Sequence, residues 1–219
     1  MPTTQEQLAI QAIVKARKIP YLVHFTCVEN LPSILQHGLQ PRSVVDDAQN
    51  NQNNILFGKN IVVNDSYRVD YKREYNCLSV SFPNCSMFWG CRQNFDGSWV
   101  VLLLDPKILW EKECLFYPIN AASGSVSALP INNFNNSIAL ENMFDGQRNQ
   151  NMCDHDPTNV QAEVMVQGVI EPHYIGHCLF EDRDLCQDNK ALFPAVNMIY
   201  HSAMYNQRGY TRSNLKFIR

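Results

Sequence analysis

Apolar residues are dealt along this chain in short β-prone runs bounded by Pro, Gly, Asn or Asp, and that pattern restricts the fold more than any other feature. The runs fall at residues 21–26, 77–82, 99–104, 162–167 and 174–180. Helical periods lie between and around them. Residues 5–18 carry Leu8, Ala9, Ala12, Ile13 and Ala16 on one face, with Lys15, Arg17 and Lys18 in the last turn and Pro20 as a stop. Asn30 as N-cap, Pro32 in the first turn and Gly38 beyond the end mark a second, short helix. Further short helices are expected at 86–92, 106–111 and 138–144. No heptads, internal repeats or shifts of composition divide the chain. Its 219 residues therefore predict one domain spanning 1–219, a mixed α+β fold around short, mostly antiparallel strands.

With 45% hydrophobic residues such a domain can bury a substantial core. The 18 Lys+Arg against 21 Asp+Glu leave a net charge of −3, which excludes a wholly polybasic nucleic-acid binder, so any polyanion site must be local. No apolar run approaches the roughly 20 residues that span a bilayer, and residues 1–20 mix Gln, Glu, Lys and Arg rather than showing a leader's apolar stretch. A cytoplasmic protein without membrane contact is expected. The eight cysteines are scattered and form no C-x-x-C pair, which favours reduced thiols over disulfides and leaves no metal site in prospect.

Two polar stretches interrupt the pattern. Residues 46–54 offer no apolar face and read as a mobile surface loop. Residues 121–159 are rich in Ser, Asn and Gly and longer than an ordinary connection, a length that often carries function.

Five constellations could carry chemistry, each with an ordinary structural alternative. His24 and Thr26 share one face of a strand and could hold an amide or a ribose, or be a satisfied strand end. Arg68, within Asn64-Asp65-Ser66-Tyr67-Arg68-Val69-Asp70, could fork onto a phosphate, or pair with Asp65 or Asp70 at the surface. Glu163 is a lone carboxylate in an apolar run after the long loop. It suits stabilisation of a sugar cation, although alternation could equally turn it to solvent. Ser79 and Ser81, followed by Met87, Phe88, Trp89 and Arg92, could sandwich a flat ring or simply be core. Arg208, Arg212, Lys216 and Arg219, interleaved with Tyr210 and Phe217, suit a single-stranded polynucleotide or form a solvated tail.

Taken in order, these residues resemble the DarT family of bacterial toxins, ADP-ribosyltransferases that attach ADP-ribose from NAD to DNA bases. The resemblance rests on His24-Phe25-Thr26 with Asn30-Leu31 and Ile34-Leu35-x-x-Gly38, and on Asn64-Asp65-x-x-Arg68. It continues through Ser79-x-Ser81-Phe82-Pro83-Asn84 with Met87-Phe88, Asn120-Ala121-Ala122 and Gln161-Ala162-Glu163-Val164. It implies a split-sheet ADP-ribosyltransferase fold with an NAD cleft, NAD as co-substrate, no metal, and single-stranded DNA as acceptor. A cognate antitoxin that removes ADP-ribose or binds the toxin is implied as well, in a toxin–antitoxin and phage-defence setting. By motif, Glu163 and Arg68 would be catalytic, and His24, Thr26, Asn30, Leu31, Arg68 and Ser81 would meet the cofactor. Arg92, Arg208, Arg212 and Lys216 would meet nucleic acid. The wording of the motifs is closer to the guanine-modifying branch than to the thymine-modifying one. RNA as acceptor, or a silent NAD-binding or nucleic-acid-binding module, are the competing readings.

Overall fold

The computed structural model describes residues 2–50 and 72–214, without the side chains of 47–50. The first helix, α1 (Thr4–Arg17), starts at Thr3, whose hydroxyl accepts from the Glu6 N–H at 3.3 Å, and ends at Lys18 in a left-handed conformation. It delivers Ile10 and Val14 to the core. Strand β1 (Leu22–Cys27) follows, then a single 3-10 turn and α2 (Leu31–His37). Asn30 precedes α2 as expected, but its side chain makes no cap; its Nδ2 donates to Thr26 Oγ1 at 2.9 Å instead.

The loop expected at 46–54 is corrected over its described part, because helix α3 (Arg42–Asn50) runs through it. Arg42 Nε holds Asp46 at 2.5 Å one turn on, and Arg73 reaches the same carboxylate. Ion pairing thus supports a helix that has little apolar face of its own. Residues 51–54 lie outside the described residues.

Beyond this come β2 (Tyr75–Val80), α4 (Cys85–Asn94), β3 (Trp99–Leu104), α5 (Ile108–Glu111), β4 (Cys114–Tyr117), α6 (Gly124–Ser127) and α7 (Ser137–Asn142). The chain then gives β5 (Glu163–Gln167), β6 (Ile175–Phe180), α8 (Arg183–Leu192), β7 (Met198–Tyr200) and α9 (Arg208–Ser213). The strands form one seven-stranded sheet in the order β4-β5-β2-β1-β3-β6-β7, antiparallel except for the β6–β7 pair, whose crossover is α8. Strands β4 and β7 and helices α8 and α9 were not expected from the sequence.

Both faces of the sheet are covered. On one, Leu22, Leu78, Val80, Leu102, Val164 and Val166 pack against α1, α2, α5, α7 and α8. On the other, Val23, Cys27 and Val101 meet Phe88 of α4 and Met204 near the C-terminus. A third cluster, Leu115, Tyr117 and Met165 with Val126 and Phe134, pins the long connection between β4 and β5. That connection is anchored along its length rather than being a free polar loop.

Candidate active site

Strand β1 pairs with β3 along all its residues, yet with β2 only at Leu22↔Val80 and Val23↔Ser79. The lower part of β2 pairs with β5 instead. Past Val23 the two halves of the sheet therefore part company, and a side chain takes over from the backbone ladder. His24 Nδ1 stands 3.0 Å from the carbonyl oxygen of Cys77. A carbonyl only accepts, so the bond assigns the proton to Nδ1 and leaves Nε2 of a neutral ring as an acceptor. Burial holds the His24 pKa below its ordinary value against the opposing pull of the Cys77 carbonyl, so the neutral form is favoured. Thr26, two residues on, is buried with the Asn30 amide on its hydroxyl.

Glu163 opens β5 opposite Tyr117 of β4. The adjoining β2–β5 pair is Leu78↔Val164, which brings Glu163 level with Ser79, the residue that faces Val23 where β1 and β2 still touch. Both His24 and Glu163 thus adjoin the cross-strand row at which the sheet opens. Solvent exposure, the ordinary fate of a strand glutamate, is corrected: Glu163 is only 8% exposed, and its Oε2 accepts from the Ala121 N–H at 3.2 Å. Val164 and Val166 belong to the main core and Met165 to the opposite face, so strand alternation places Glu163 on the Met165 side.

Ser79 is tied to the next turn, where its Oγ accepts from Asn84 N at 3.1 Å. Asn84 then caps α4, its Oδ1 accepting from Met87 N at 3.2 Å. Its Nδ2 is buried with no acceptor among the described residues.

A polar hub unforeseen in the sequence lies where the long connection returns toward Glu163. Asp156 is fully buried and accepts from Arg212 Nε at 2.8 Å, Arg212 Nη2 at 2.7 Å and Cys153 N at 2.9 Å. Ser81 Oγ lies 3.0 Å from the same carboxylate. Arg148 donates to the backbone carbonyls of Cys153 and Asp156. Burial alone would raise the Asp156 pKa, but the Arg212 bonds and charge hold it below its ordinary value. The signal was one of several Asp in a polar loop and one of several Arg near the C-terminus, which spacing cannot connect.

Burial and pairing bear on several of the expected site residues. Ser81, assigned to the cofactor, is fully buried in a left-handed backbone conformation and spends its hydroxyl on the loop. Arg212, assigned to nucleic acid, has a side chain only 3% exposed and is bound to Asp156. Leu31, also assigned to the cofactor, has its side chain in the main core. Arg92 is half-buried, bonded to Glu181 and to the Tyr205 carbonyl, with its guanidinium over the rings of Phe88 and Tyr205. Of the C-terminal cations, Arg208 and Arg212 belong to helix α9, and Arg212 is taken up by Asp156. Arg68 with Asn64, Asp65 and Asp70, and Lys216 with Arg219, lie outside the described residues.

Between α4, residues 147–160 and α9 a groove of about 840 Å³ opens. Among the described residues, no helix is long and apolar enough to cross a membrane.

A family model described as "ssDNA thymidine ADP-ribosyltransferase, DarT" matches residues 23–209. No curated protein matches by sequence. Among solved structures, Thermosipho africanus DarTG in complex with ADP-ribose is similar at 17% identity and a TM-score of 0.55, over 84% of this chain and 50% of that one. Thermus sp. 2.9 DarT in complex with NAD+ is similar at 10% identity and a TM-score of 0.54, over 86% and 98%. The same Thermus protein in complex with ADP-ribosylated ssDNA gives 10% and 0.52, over 86% and 97%. The chain thus spans half the length of the Thermosipho protein and nearly all of the Thermus one. At these identities the likeness speaks for the fold alone.

Proposed function

Because this chain belongs to the DarT family of single-stranded-DNA ADP-ribosyltransferases, we propose that it transfers ADP-ribose from NAD to a base of single-stranded DNA, with Glu163 as its catalytic carboxylate. The observation that carries this is the buried Glu163 at the row where β1 and β2 separate. In the reaction the bond between nicotinamide and the ribose C1′ breaks, nicotinamide leaves with the electron pair, and a base nitrogen bonds to C1′ and gives up its proton. Positive charge grows on the sugar at that moment. A carboxylate bonded to the ribose 2′-hydroxyl is worth more in that transition state than before it. Near-burial strengthens the effect, because little water competes for the charge.

His24 suits the ribose side, since a neutral ring whose Nδ1–H is occupied offers Nε2 to a hydroxyl. Thr26 and Asn30, already bonded to each other, supply a hydroxyl and an amide beside it. The Asn84 amide, unsatisfied next to Ser79, is a further donor for a carbonyl oxygen. By resemblance Arg68 takes the diphosphate and the acceptor base. A base stacked in a duplex is out of reach of C1′, so the acceptor is unpaired or extruded.

The acceptor base is read as guanine from the motifs Asn64-Asp65-x-x-Arg68 and Ser81-Phe82-Pro83-Asn84-x-x-Met87-Phe88. Thymine is the second reading, favoured by the family's own description. A toxin of this kind calls for an antitoxin that removes the ADP-ribose or binds the enzyme, and a DNA substrate fits a cytoplasmic protein. Incubation with NAD and single-stranded oligonucleotides that each lack one base, followed by weighing of the products, tests the assignment. An added ADP-ribose that disappears only from the oligonucleotide without guanine supports it; loss only without thymine moves it to the second reading. No addition to any of them, with matched RNA modified instead, transfers the activity to the RNA alternative.

A further inference from the structure

We infer that the groove between α4, residues 147–160 and α9 is the seat of the acceptor strand, with Trp89 as a stacking platform for a base and Arg208 as a phosphate contact; this rests on the nucleic-acid reading above. Trp89 is 67% exposed, more than any other Phe, Tyr or Trp among the described residues. An exposed indole at the wall of a groove is a surface on which a base can stack.

The chemistry of the walls narrows the ligand. They carry Arg208 and Arg212 and no carboxylate, in a protein whose net charge is −3. Within residues 147–160, Asp156 is matched by Arg212 and Arg148 bonds backbone carbonyls, and the exposed Asp154 is not on the groove wall. Arg208, only 9% exposed but on the groove wall, donates from Nη2 to the Thr158 carbonyl at 3.3 Å, and no carboxylate is within ion-pair reach of it among the described residues. Gln147, Asn149 and Asn151 line the same groove, bringing side-chain amides that can both donate to and accept from base edges. A wall without carboxylates whose one unmatched cation is Arg208, an exposed indole and side-chain amides together describe a single-stranded polynucleotide rather than a small anion.

The position also fits. Val160, on the groove wall, is followed by Gln161, Ala162 and then Glu163. Cys85, on the facing wall, follows Asn84, whose N–H is bonded to Ser79 at the opening of the sheet. A strand lying in the groove would run toward the carboxylate.

The test uses the full chain and a fluorescein-labelled single-stranded DNA of mixed sequence, with affinity followed by anisotropy across a range of salt. Trp89→Ala, at an exposed position, is expected to fold as wild type and to weaken binding about tenfold, with a matching rise in KM for the oligonucleotide and little change in kcat. Arg208→Gln is expected to lower the slope of log affinity against log salt by about 0.7, the value of one phosphate contact on a single strand. Unchanged affinity and unchanged KM in Trp89→Ala, or a wild type that does not bind the oligonucleotide, overturns the groove assignment. If wild type transfers ADP-ribose while Trp89→Ala does so with unaltered KM, the groove falls and the activity stands. If wild type binds DNA through Trp89 but yields no product, the groove stands and the activity falls. Tighter binding of matched RNA would overturn DNA as its occupant.

Discussion

Arg212 closes on Asp156 through two parallel hydrogen bonds, of 2.7 and 2.8 Å, with both side chains withdrawn from water. The pair ties the last described helix, α9, to the segment that leads into Glu163, and Ser81 joins it from the end of β2. Three remote parts of the chain meet there, so the hub sets where the long connection between β4 and β5 sits relative to the sheet.

Removal of one partner strands the other charge in a dry site. Arg212→Met is expected to cost about 3–5 kcal/mol of stability, whereas Arg212→Met combined with Asp156→Leu should recover a large part of that loss. Chemical denaturation of the single and double variants measures the difference. Equal losses in both would mean that packing, and not the stranded carboxylate, dominates.

The same pair makes stability pH-dependent. The folded-state pKa of Asp156 lies below its ordinary value of 3.8. The unfolded chain therefore binds the proton first as pH falls. The contribution is complete at neutral pH, begins to fade near 3.8 and is lost as pH drops through the lower folded-state value. Wild type should show this acid-linked loss, and Arg212→Met a smaller one, in urea midpoints recorded at stepwise lower pH.

His24 is predicted to act as a neutral ring. Its pKa is held below 6.5 by burial, so acidification through 6.5 protonates an unfolded chain before the folded one. Stability should fall as pH drops below that value, and transfer activity should not break at 6.5 but only at lower pH. NMR titration of the His24 ring checks the order. A ring that titrates at or above 6.5 would mean that burial does not outweigh the Cys77 carbonyl, and would contradict the neutral-ring assignment.

Gly38 ends α2 with φ +82°, and a Cβ there would meet the Ile170 carbonyl oxygen at 2.4 Å. Its N–H bonds Ile34, and its neighbour Leu39 bridges to Ile170. Gly38→Ala is expected to destabilise by about 1–3 kcal/mol, from backbone strain and the clash with main chain rather than with a yielding side chain. Thermal unfolding measures it.

Much of the scaffold was legible because each long strand carries its own pattern. Residues 99–104 match β3 residue for residue, and Glu163 stood out as the lone acid of β5. Strand β4 escaped notice because Cys114–Tyr117 is short and apolar throughout, with no alternation to read. Helix α3 escaped because its support is ionic, from Arg42 and from Arg73 far along the chain. The C-terminal arginines misled for a similar reason. Composition records that Arg212 is charged, but only the fold brings Asp156 to it and takes both out of solvent. Ser81 was read as a cofactor contact because a hydroxyl on a strand looks the same whether it meets a ligand or a loop.

Glu163→Gln keeps size and hydrogen bonding but removes the negative charge, and so isolates the central claim. With NAD and a single-stranded oligonucleotide, mass analysis of the product should show wild type adding ADP-ribose, and the variant, folded as judged by circular dichroism, slower by about 100-fold or more. A Glu163→Gln protein that adds ADP-ribose at the wild-type rate would contradict the assignment of this carboxylate to the sugar.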